Sequence, residues 1–321
     1  MKCLLIDFGA SYIKTAMYDT DTDEYSDVRN TDSPFLISDH ISKNELLELL
    51  SDIVVSYSSA EAIFPCSILG GFYEQDIYYS WKTNKTPKKN YCLLSGLFVG
   101  ESSFHVHTHH REFTDVETYA DELKILGYIN DIPMYSALGD TFCVMNSVTL
   151  TDDSVGINLG TGSQVFYKHN NELVVKMYIP SGRMLLMFDK FFNELNFDFF
   201  SSLTNITVED VLNSTLQLNL NVFPQAHEFV DGGHITHITE DTFTVKNLLS
   251  SILREYVQQY IKLIPPNTNN IILLGGITKK LNILPDIFKV YCSDKNVIIS
   301  DDGILDTHLG IVNFITDRNK S

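Results

Sequence analysis

The sequence predicts an α/β protein made of two related domains that face each other across a cleft. Near the start, an apolar run at residues 4–6 ends in Asp7, passes through small residues and resumes as a second apolar run. This pattern is typical of a β-hairpin with a tight turn. The second half opens with the same plan at residues 155–165, which indicates two copies of one structural unit. With 321 residues, the chain is long enough for two separate cores.

The turns of both predicted hairpins consist of small residues. Asp7 and Gly9 of the first copy match Asn158 and Gly160 of the second. Exposed backbone N–H groups in such turns form natural binding sites for phosphate oxygens. Only glycine or a very small side chain lets the backbone come that close to a ligand. The two turns are therefore candidate phosphate sites.

The composition argues against several classes of partner. The formal net charge of −18 disfavours nucleic acid and anionic membranes, because both require a basic surface. The five cysteines are scattered and contain no C-x-x-C pair, so we expect reduced thiols rather than disulfides or a zinc site. No apolar run reaches the length of a membrane span, and the N-terminal residues do not resemble a signal peptide. The sequence therefore predicts a soluble, cytoplasmic protein.

Helix and strand signals alternate after the first hairpin. The acidic residues 19–27 are interpreted as a solvated loop. Ser42 and Glu45 form a capping-box pattern ahead of an amphipathic stripe, which predicts the start of a helix. The run at residues 132–138 predicts a strand that leads into Asp140. The other predicted elements of this half are a strand at residues 62–69, a short helix at 121–126 and a helix at 141–148, and residues 77–81 form a short aromatic run.

The polar residues 151–154 mark the boundary between the predicted domains, which cover residues 1–150 and 151–321. In the second domain, the longest helix signal covers residues 248–261 and is stopped by two prolines. A buried strand at residues 270–274 then runs into a double glycine. The remaining predictions are a strand at 173–179, a loop at 180–183, partly helical structure at 189–204, a loop-rich stretch at 221–239, a strand at 297–300 and a helix at 309–316.

A run of histidines at residues 104–110 offers a possible metal site. In a strand, His105, His107 and His109 would share one face. No carboxylate or cysteine stands at a supporting spacing, so surface or hydrogen-bonded histidines are the preferred interpretation.

Four segments, taken in order, resemble motifs of the FGGY carbohydrate kinases, a family within the actin-like ATPase superfamily. LLIDFGASYIKTAMYD is similar to the first phosphate motif and SVGINLGTGSQVFY to the second. IPMYSALGDTFCVMNSV resembles the segment that bears the catalytic aspartate, especially in sedoheptulokinase-like members. NIILLGGITKKLNILPDIF resembles the adenosine motif. Four motifs in family order are much more specific than any single glycine pair.

The resemblance implies two ribonuclease H-like (actin-like ATPase) domains and phosphoryl transfer from ATP to a sugar hydroxyl. This reaction needs a phosphate site, a divalent cation and a proton acceptor. Asp140 is the implied general base, and Asp7 and Asp140 are the implied Mg²⁺ residues, with Asp7 acting through water. Trp81 and Gly71 are implied on the sugar side. The implied nucleotide contacts are Asp7, Gly9, Ala10, Ser11, Lys14, Gly160, Thr161, Gly162, Ser163, Gly275 and Gly276.

The sequence also departs from the family pattern. Lys82 and Thr83 follow Trp81 where the family has glutamine and aspartate, and the chain is shorter than typical members. A ketose such as a heptulose is the expected substrate, and a non-catalytic sugar- or nucleotide-binding protein is the alternative. A dehydratase activator ranks last, because the cysteines lack an iron–sulfur arrangement. The expected partner is a small sugar, without nucleic acid or membrane, and a homodimer is left open.

Overall fold

The structure is a computed structural model that describes residues 1–67, 71–80, 82–85, 93–99, 124–160, 162–170, 172–224, 226, 229–300 and 305–318. Contacts divide the chain into two units, called here the first unit (Met1–Val148 with Gly303–Ser321) and the second unit (Thr149–Asp302). No helix within the described residues is long and apolar enough to cross a membrane.

The first unit is built on a mixed sheet of seven strands and a small antiparallel sheet of three. Its strands are β1 (Lys2–Phe8), β2 (Tyr12–Asp19), β3 (Glu24–Asp32), β4 (His40–Ser42), β5 (Ala62–Ser67), β6 (Gly71–Glu74), β7 (Ile77–Ser80), β8 (Ile125–Ile129), β9 (Ile132–Tyr135) and β10 (Leu138–Gly139). The large sheet has the order β3-β2-β1-β5-β9-β8, and β10 also pairs with β5. The first three strands form an antiparallel meander, and β5 runs parallel to β1, β9 and β10. The first predicted hairpin is thus confirmed.

Helices cover the large sheet of the first unit because its strands alternate between two apolar faces. Leu4 and Ile6 of β1 join the core cluster that contains Leu46 and Leu50 of the helix at Lys43–Val55. That helix begins with the predicted capping box, in which Ser42 and Glu45 exchange side-chain and backbone hydrogen bonds. The helices of this part of the chain are α1 (Lys43–Val55), α2 (Leu93–Val99) and α3 (Asp140–Asn146), with a 3₁₀ turn at Pro34–Leu36.

The second unit repeats the sheet plan of the first. Its strands are β11 (Ser154–Leu159), β12 (Ser163–His169), β13 (Glu172–Ile179), β14 (Gln217–Asn219), β15 (His234–Thr236), β16 (Asn270–Leu274) and β17 (Asn296–Ile299). The main sheet has the order β13-β12-β11-β16-β17, in which an antiparallel meander is followed by parallel strands. The internal repeat predicted from the two hairpins is therefore confirmed in the strand order.

The remaining helices are α4 (Gly182–Glu194), α5 (Phe199–Thr204), α6 (Val208–Leu212), α7 (Val245–Ile261), α8 (Gly276–Lys280), α9 (Leu284–Tyr291) and α10 (Asp306–Arg318). The longest, α7, buries Leu253, Tyr256 and Val257 in the same core cluster as Ile157 of β11. This helix was predicted from its apolar stripe, and the stripe is the face that packs on the sheet.

The C-terminal helix α10 lies in the first unit, whereas the sequence predicts it in the second domain. Its residues Ile311 and Ile315 join a core cluster with Leu5 of β1 and Cys143 of α3. Gly310 allows this packing, because a Cβ there would clash with the Cys143 carbonyl group. The chain therefore returns to the first unit after the last strand of the second. The other division, between Val148 and Thr149, lies close to the predicted boundary.

Four other local predictions are corrected or refined. Residues 24–27, expected in a loop, belong to β3, an exposed edge strand that pairs through its backbone and needs few apolar side chains. The predicted loop at 180–183 already contains the start of α4. Residues 125–126, predicted as helical, lie in β8. The loop-rich stretch 221–239 contains the short strand β15.

Candidate functional site

Three parallel strands of the first unit bring the implied catalytic and metal residues to one edge of the sheet. Asp7 of β1 is aligned with Cys66 of β5, and Cys66 is aligned with Leu138 of β10. Asp140 follows β10 directly and begins α3. Because neighbouring strands lie ~4.8 Å apart, the rows through Asp7 and Leu138 are separated by about 10 Å. Asp7 and Asp140 therefore both lie at the carboxyl edge of this sheet, where α/β proteins bind ligands.

Asp7 is a buried carboxylate held by three neighbours. Its Oδ2 accepts hydrogen bonds from Lys14 Nζ at 3.1 Å and Thr307 Oγ1 at 2.9 Å. Cys66 Sγ lies 3.4 Å from Oδ1. Burial pushes the pKa of Asp7 upward, but Lys14, His308 and the Thr307 hydrogen bond outweigh it, so this pKa lies below its usual value. Asp7 is thus ionised at neutral pH and paired with a lysine directly opposite it in the hairpin.

The first turn of α10 contributes residues that the sequence did not indicate. Besides Thr307, this turn places His308 Nε2 3.2 Å from the carbonyl oxygen of Lys14. Burial lowers the pKa of His308 to about 4, so its ring is neutral near pH 7. Asp306 raises the pKa of Lys14, after the larger influence of Asp7. The first turn of α10, a helix from the far end of the chain, therefore contacts both Asp7 and Lys14.

Asp140 is half-buried at the start of α3. Its Oδ1 accepts hydrogen bonds from the Thr141 amide at 2.7 Å and the Thr141 hydroxyl at 3.3 Å. The neighbouring thiols of Cys66 and Cys143 are buried. The pKa of Cys66 lies well above its usual value, first because of its hydrogen bond with Cys143 and then because of burial and the charge of Asp7. Both Asp7 and Asp140 contribute to the raised pKa values of these two thiols. The two carboxylates are therefore close enough to share one electrostatic environment.

The first hairpin turn leaves two backbone amides available. The Gly9 amide donates to the Tyr12 carbonyl oxygen at 3.0 Å, and a Cβ on Gly9 would lie 2.8 Å from that oxygen. Glycine is therefore required for the turn itself. Among the described residues, the amides of Ala10 and Ser11 have no hydrogen-bond acceptor. These two half-buried N–H groups, rather than that of Gly9, are the donors that a phosphate could use.

The second hairpin has a neutral amide pair where the first has an ion pair. Asn158 Nδ2 donates to Gln164 Oε1 at 2.7 Å across β11 and β12. The Gly160 carbonyl accepts hydrogen bonds from the Ser181 hydroxyl at 2.8 Å and the Gly182 amide at 3.0 Å. The turn is thereby fixed to the N-terminus of α4. Thr161, predicted as a nucleotide contact, lies outside the described residues.

Ser163, predicted as a nucleotide contact, is buried at the start of its strand. It is 1% exposed and begins β12, in which Val165 is also buried. Side chains two residues apart in a strand point to the same face, so Ser163 faces the core with Val165.

The two glycines after β16 have different surroundings: Gly275 is closely packed, whereas Gly276 is not. Gly275 has φ +90°, and a Cβ there would lie 2.5 Å from the Leu159 carbonyl oxygen and 2.6 Å from Asn158 Oδ1. It therefore lets β16 end against the second hairpin. A Cβ on Gly276 would meet nothing within 4 Å, so this position is open.

The predicted sugar-side residues are only partly described. Gly71 has φ +122°, and a Cβ there would clash with the Tyr79 carbonyl oxygen and the Tyr78 hydroxyl group. This glycine is therefore required by the packing of β6 on β7. Trp81 lies outside the described residues, as do His105, His107 and His109. Within the described part of the chain, no group of three or more His, Cys, Asp or Glu residues is arranged to hold a metal ion.

No protein-family model matches the sequence, and no curated protein matches it in sequence. Solved structures match the whole fold at low identity. A xylulose kinase from Lactobacillus acidophilus has a TM-score of 0.63 and 10% identity, over 100% of this chain and 90% of that chain. A gluconate kinase from the same organism has a TM-score of 0.62 and 8% identity, over 100% and 90%. A glycerol kinase from Plasmodium falciparum, solved with ADP, has a TM-score of 0.64 and 10% identity, over 97% and 88%.

The chain has the fold of the FGGY carbohydrate kinases. This confirms the predicted fold class, with two sheet-based units of the actin-like ATPase type. Each unit begins with its own three-stranded meander, and a parallel strand lies next to that meander in the sheet. The candidate site residues therefore lie on a fold that these sugar kinases share.

Proposed function

We propose that the chain is an ATP-dependent sugar kinase that transfers the γ-phosphoryl group of ATP to a hydroxyl of a ketose. The observation that carries the proposal is the placement of Asp7 and Asp140 at one carboxyl edge of a sheet with this fold. The ketose assignment, with a heptulose as the first candidate, rests on the resemblance of the segment around Asp140 to sedoheptulokinase-like sequences.

In the proposed reaction, Asp140 is the general base that accepts the proton of the attacking hydroxyl. A carboxylate is suited to this role when it is ionised and can reach a ligand. Asp140 is half-buried at the start of a helix, and its Oδ1 is oriented by two hydrogen bonds from Thr141. Asp7 differs, because its side chain is only 5% exposed and both its oxygens have protein partners.

Each unit, taken by itself, offers groups that suit a nucleotide. In the first unit, the amides of Ala10 and Ser11 are free to donate to phosphate oxygens, and Lys14 supplies positive charge. In the second unit, the turn at Gly160 and Gly162 is a proposed phosphate site. The open space at Gly276 would accept the adenosine part.

Magnesium fits this site best through Asp140. Mg²⁺ prefers one or two carboxylates and keeps several water ligands, so the small number of acidic groups is compatible with it. Asp7 would act through a bound water, because Lys14 and Thr307 already contact its Oδ2. The ion would neutralise charge on the phosphates. Asp7 and Asp140 are the residues that would hold it.

The experiment that tests this function measures ADP release with Mg·ATP across ketoses, polyols and aldoses, together with calorimetric titration of ATP. Heptuloses, xylulose, gluconate and glycerol belong in the panel. We expect at least one ketose to stimulate ADP release and yield a phosphorylated sugar. If ATP binds with Mg²⁺ but no compound stimulates turnover, the chain is a binding protein and the kinase proposal fails. If ATP does not bind, the kinase proposal fails and so does a nucleotide-binding protein, which leaves a sugar-binding protein as the alternative.

A further inference from the structure

Tyr178, in strand β13 of the second unit, has a backbone conformation that disfavours its side chain. Its φ is +61°, in the left-handed region. Among the described residues, the nine other non-glycine residues with a positive φ are all Asp, Asn, Gln or His. A bulky side chain in this region is a genuine outlier, and glycine would avoid the cost. The backbone therefore gives no reason for a tyrosine at this position.

The unusual conformation belongs to a β-bulge between β12 and β13. The register shifts by one residue between Ser163 and Val165 of β12. Gln164 therefore stands opposite both Met177 and Tyr178. Bulges of this kind redirect a side chain, and they are frequent next to active sites. This bulge lies beside the hairpin turn that precedes β12.

Packing within the chain does not account for the tyrosine either. Tyr178 is 57% exposed, whereas its neighbour Ile179 is 2% exposed and lies in the core of the unit. Among the described residues, the phenol hydroxyl of Tyr178 has no hydrogen-bond partner and its ring has no aromatic or cationic neighbour. The bulge thus turns this side chain outward without a polar or aromatic contact inside the described chain.

Tyr178 lies next to the proposed phosphate site of the second unit. By the register that pairs Ser163 with Ile179, Gly162 and Tyr178 are diagonal neighbours. Such positions are ~7–8 Å apart, which is within reach of an aromatic side chain. Gly162 is exposed, and within the described part of the chain a Cβ there would meet only Gln164 Nε2, at 3.9 Å. The space beside Gly162 is therefore open to a ligand.

The residues that follow Tyr178 are bound to the same turn. The Ser181 hydroxyl and the Gly182 amide both donate to the Gly160 carbonyl oxygen, at 2.8 Å and 3.0 Å. The Ser181 hydroxyl also lies 3.0 Å from the Tyr256 hydroxyl of α7. Strand pairing on one side and these hydrogen bonds on the other fix the position of Tyr178 relative to the turn.

We propose that Tyr178 binds the phosphate chain of the nucleotide, with its phenol hydroxyl donating to a phosphate oxygen at the turn around Gly162. This inference rests on the proposed function, because it names a further residue of the same nucleotide site. A phenol O–H is a suitable donor, and hydrogen bonds to charged acceptors are stronger than those between neutral groups. Strained backbone of this kind clusters at ligand sites, where it positions a group before the ligand arrives.

Calorimetric titration of the full chain with Mg·ATP, combined with thermal unfolding, tests the role of Tyr178. Tyr178→Phe removes only a hydroxyl that has no partner among the described residues. It should therefore leave the thermal midpoint unchanged and weaken ATP binding about tenfold. Tyr178→Gly should weaken ATP binding at least as much. Its thermal midpoint should fall by no more than ~2 °C, because relief of the backbone offsets the lost contacts of a half-exposed ring.

Two control variants separate this role from general effects of the substitutions. Tyr128→Phe removes a phenol hydroxyl at a 62% exposed position in the first unit. His237→Gly relieves the same φ of +61° at another position in the second unit. Both variants should bind Mg·ATP as tightly as the wild type.

The failure of this inference can be told apart from the failure of the proposed function. Wild-type affinity for ATP in Tyr178→Phe would overturn the hydroxyl contact, whatever the affinity of Tyr178→Gly, and would leave the kinase proposal intact. A Tyr178→Gly variant that unfolds far below the wild type would also overturn the inference, because packing would then explain the tyrosine. A wild type that does not bind Mg·ATP would instead refute the proposed function, and the role of Tyr178 with it.

Discussion

Replacing Lys14 with methionine keeps most of the side-chain length but removes the ammonium group that contacts Asp7 at 3.1 Å. The Asp7 side chain is 5% exposed and that of Lys14 is 34% exposed, so the carboxylate would lose its main counter-ion while staying buried. Removing one partner of a buried ion pair costs ~3–5 kcal/mol. Because Lys14 is partly solvated, we expect a smaller loss, about 2–4 kcal/mol in the free energy of unfolding.

The loss should depend on pH in a defined direction. In the wild type the pKa of Asp7 is lowered, so its stabilisation is present above the unfolded-state pKa and disappears as the pH falls through the folded-state pKa. Burial is the largest single influence on Asp7 and Lys14 is the main one that opposes it, so we expect the pKa of Asp7 to rise when Lys14 is removed. The variant then gains relative stability as the pH falls and Asp7 takes up a proton. The difference between wild type and variant should be largest near neutral pH and shrink toward about pH 4.

Urea unfolding at a series of pH values measures this difference. The sole tryptophan, Trp81, belongs to the sequence of the first unit, so its fluorescence reports on the unit that contains the pair. Lys2→Met, at an exposed position on the neighbouring strand β1, is the matched control and should change little. A loss of less than ~1 kcal/mol, as for a surface ion pair, would refute the reasoning. A loss that does not vary with pH would refute it as well.

Two further predictions concern residues around the site. Thr307→Val should destabilise the first unit by ~1.5–3 kcal/mol, because the hydroxyl of Thr307 donates to a charged carboxylate. Thr307→Ser keeps this donor, so it should recover most of the lost stability in the same urea assay. A loss in Thr307→Ser as large as that in Thr307→Val would mean that the hydrogen bond alone does not explain the contribution of Thr307. Gly275→Ala should lower the thermal midpoint of the second unit and cost ~1–3 kcal/mol through its φ of +90° and its contact with Leu159. Gly276→Ala, with open space around it, should be tolerated, and an equally unstable Gly276→Ala would contradict the distinction.

The sequence predicts the two hairpins well because their signals are local. An apolar run, a small-residue turn and a second run determine each hairpin within about twenty residues, and the strand pairing follows. The capping box at Ser42 is equally local and is present as predicted. The placement of Asp140 at the start of a helix after a buried strand also follows from neighbouring residues.

The environment of Asp7 could not be predicted in the same way. Thr307 donates to Asp7 across 300 positions of sequence, and no local pattern reports a contact of that range. The apolar pattern that predicts α10 begins only at residue 309, although Asp306 and Thr307 are of the residue types common at helix starts. The same missing long-range information explains why α10 was predicted in the wrong unit.

Strand parity places one predicted site residue on the buried face of its strand. Val165 is an obvious core residue, and Ser163 stands two positions before it in the same strand, which places both on the buried face. The resemblance to a phosphate motif favoured a hydroxyl donor there. The packing role of Gly275 could not be predicted in this way. A side chain is excluded there by the backbone of another strand, and the sequence alone does not reveal that contact.

The most direct test of the proposed kinase is the rate of Asp140→Asn with the sugar that the wild type accepts, measured beside its affinity for Mg·ATP. Asp52→Asn, an exposed position on α1, is the control that also removes one carboxylate charge. We expect Asp140→Asn to lose ~10²–10⁴-fold in phosphorylation rate while its nucleotide affinity changes little, as for a general base. A variant that phosphorylates the sugar as fast as the wild type would contradict the assignment of Asp140, and a parallel loss of nucleotide binding would place Asp140 in the nucleotide site instead.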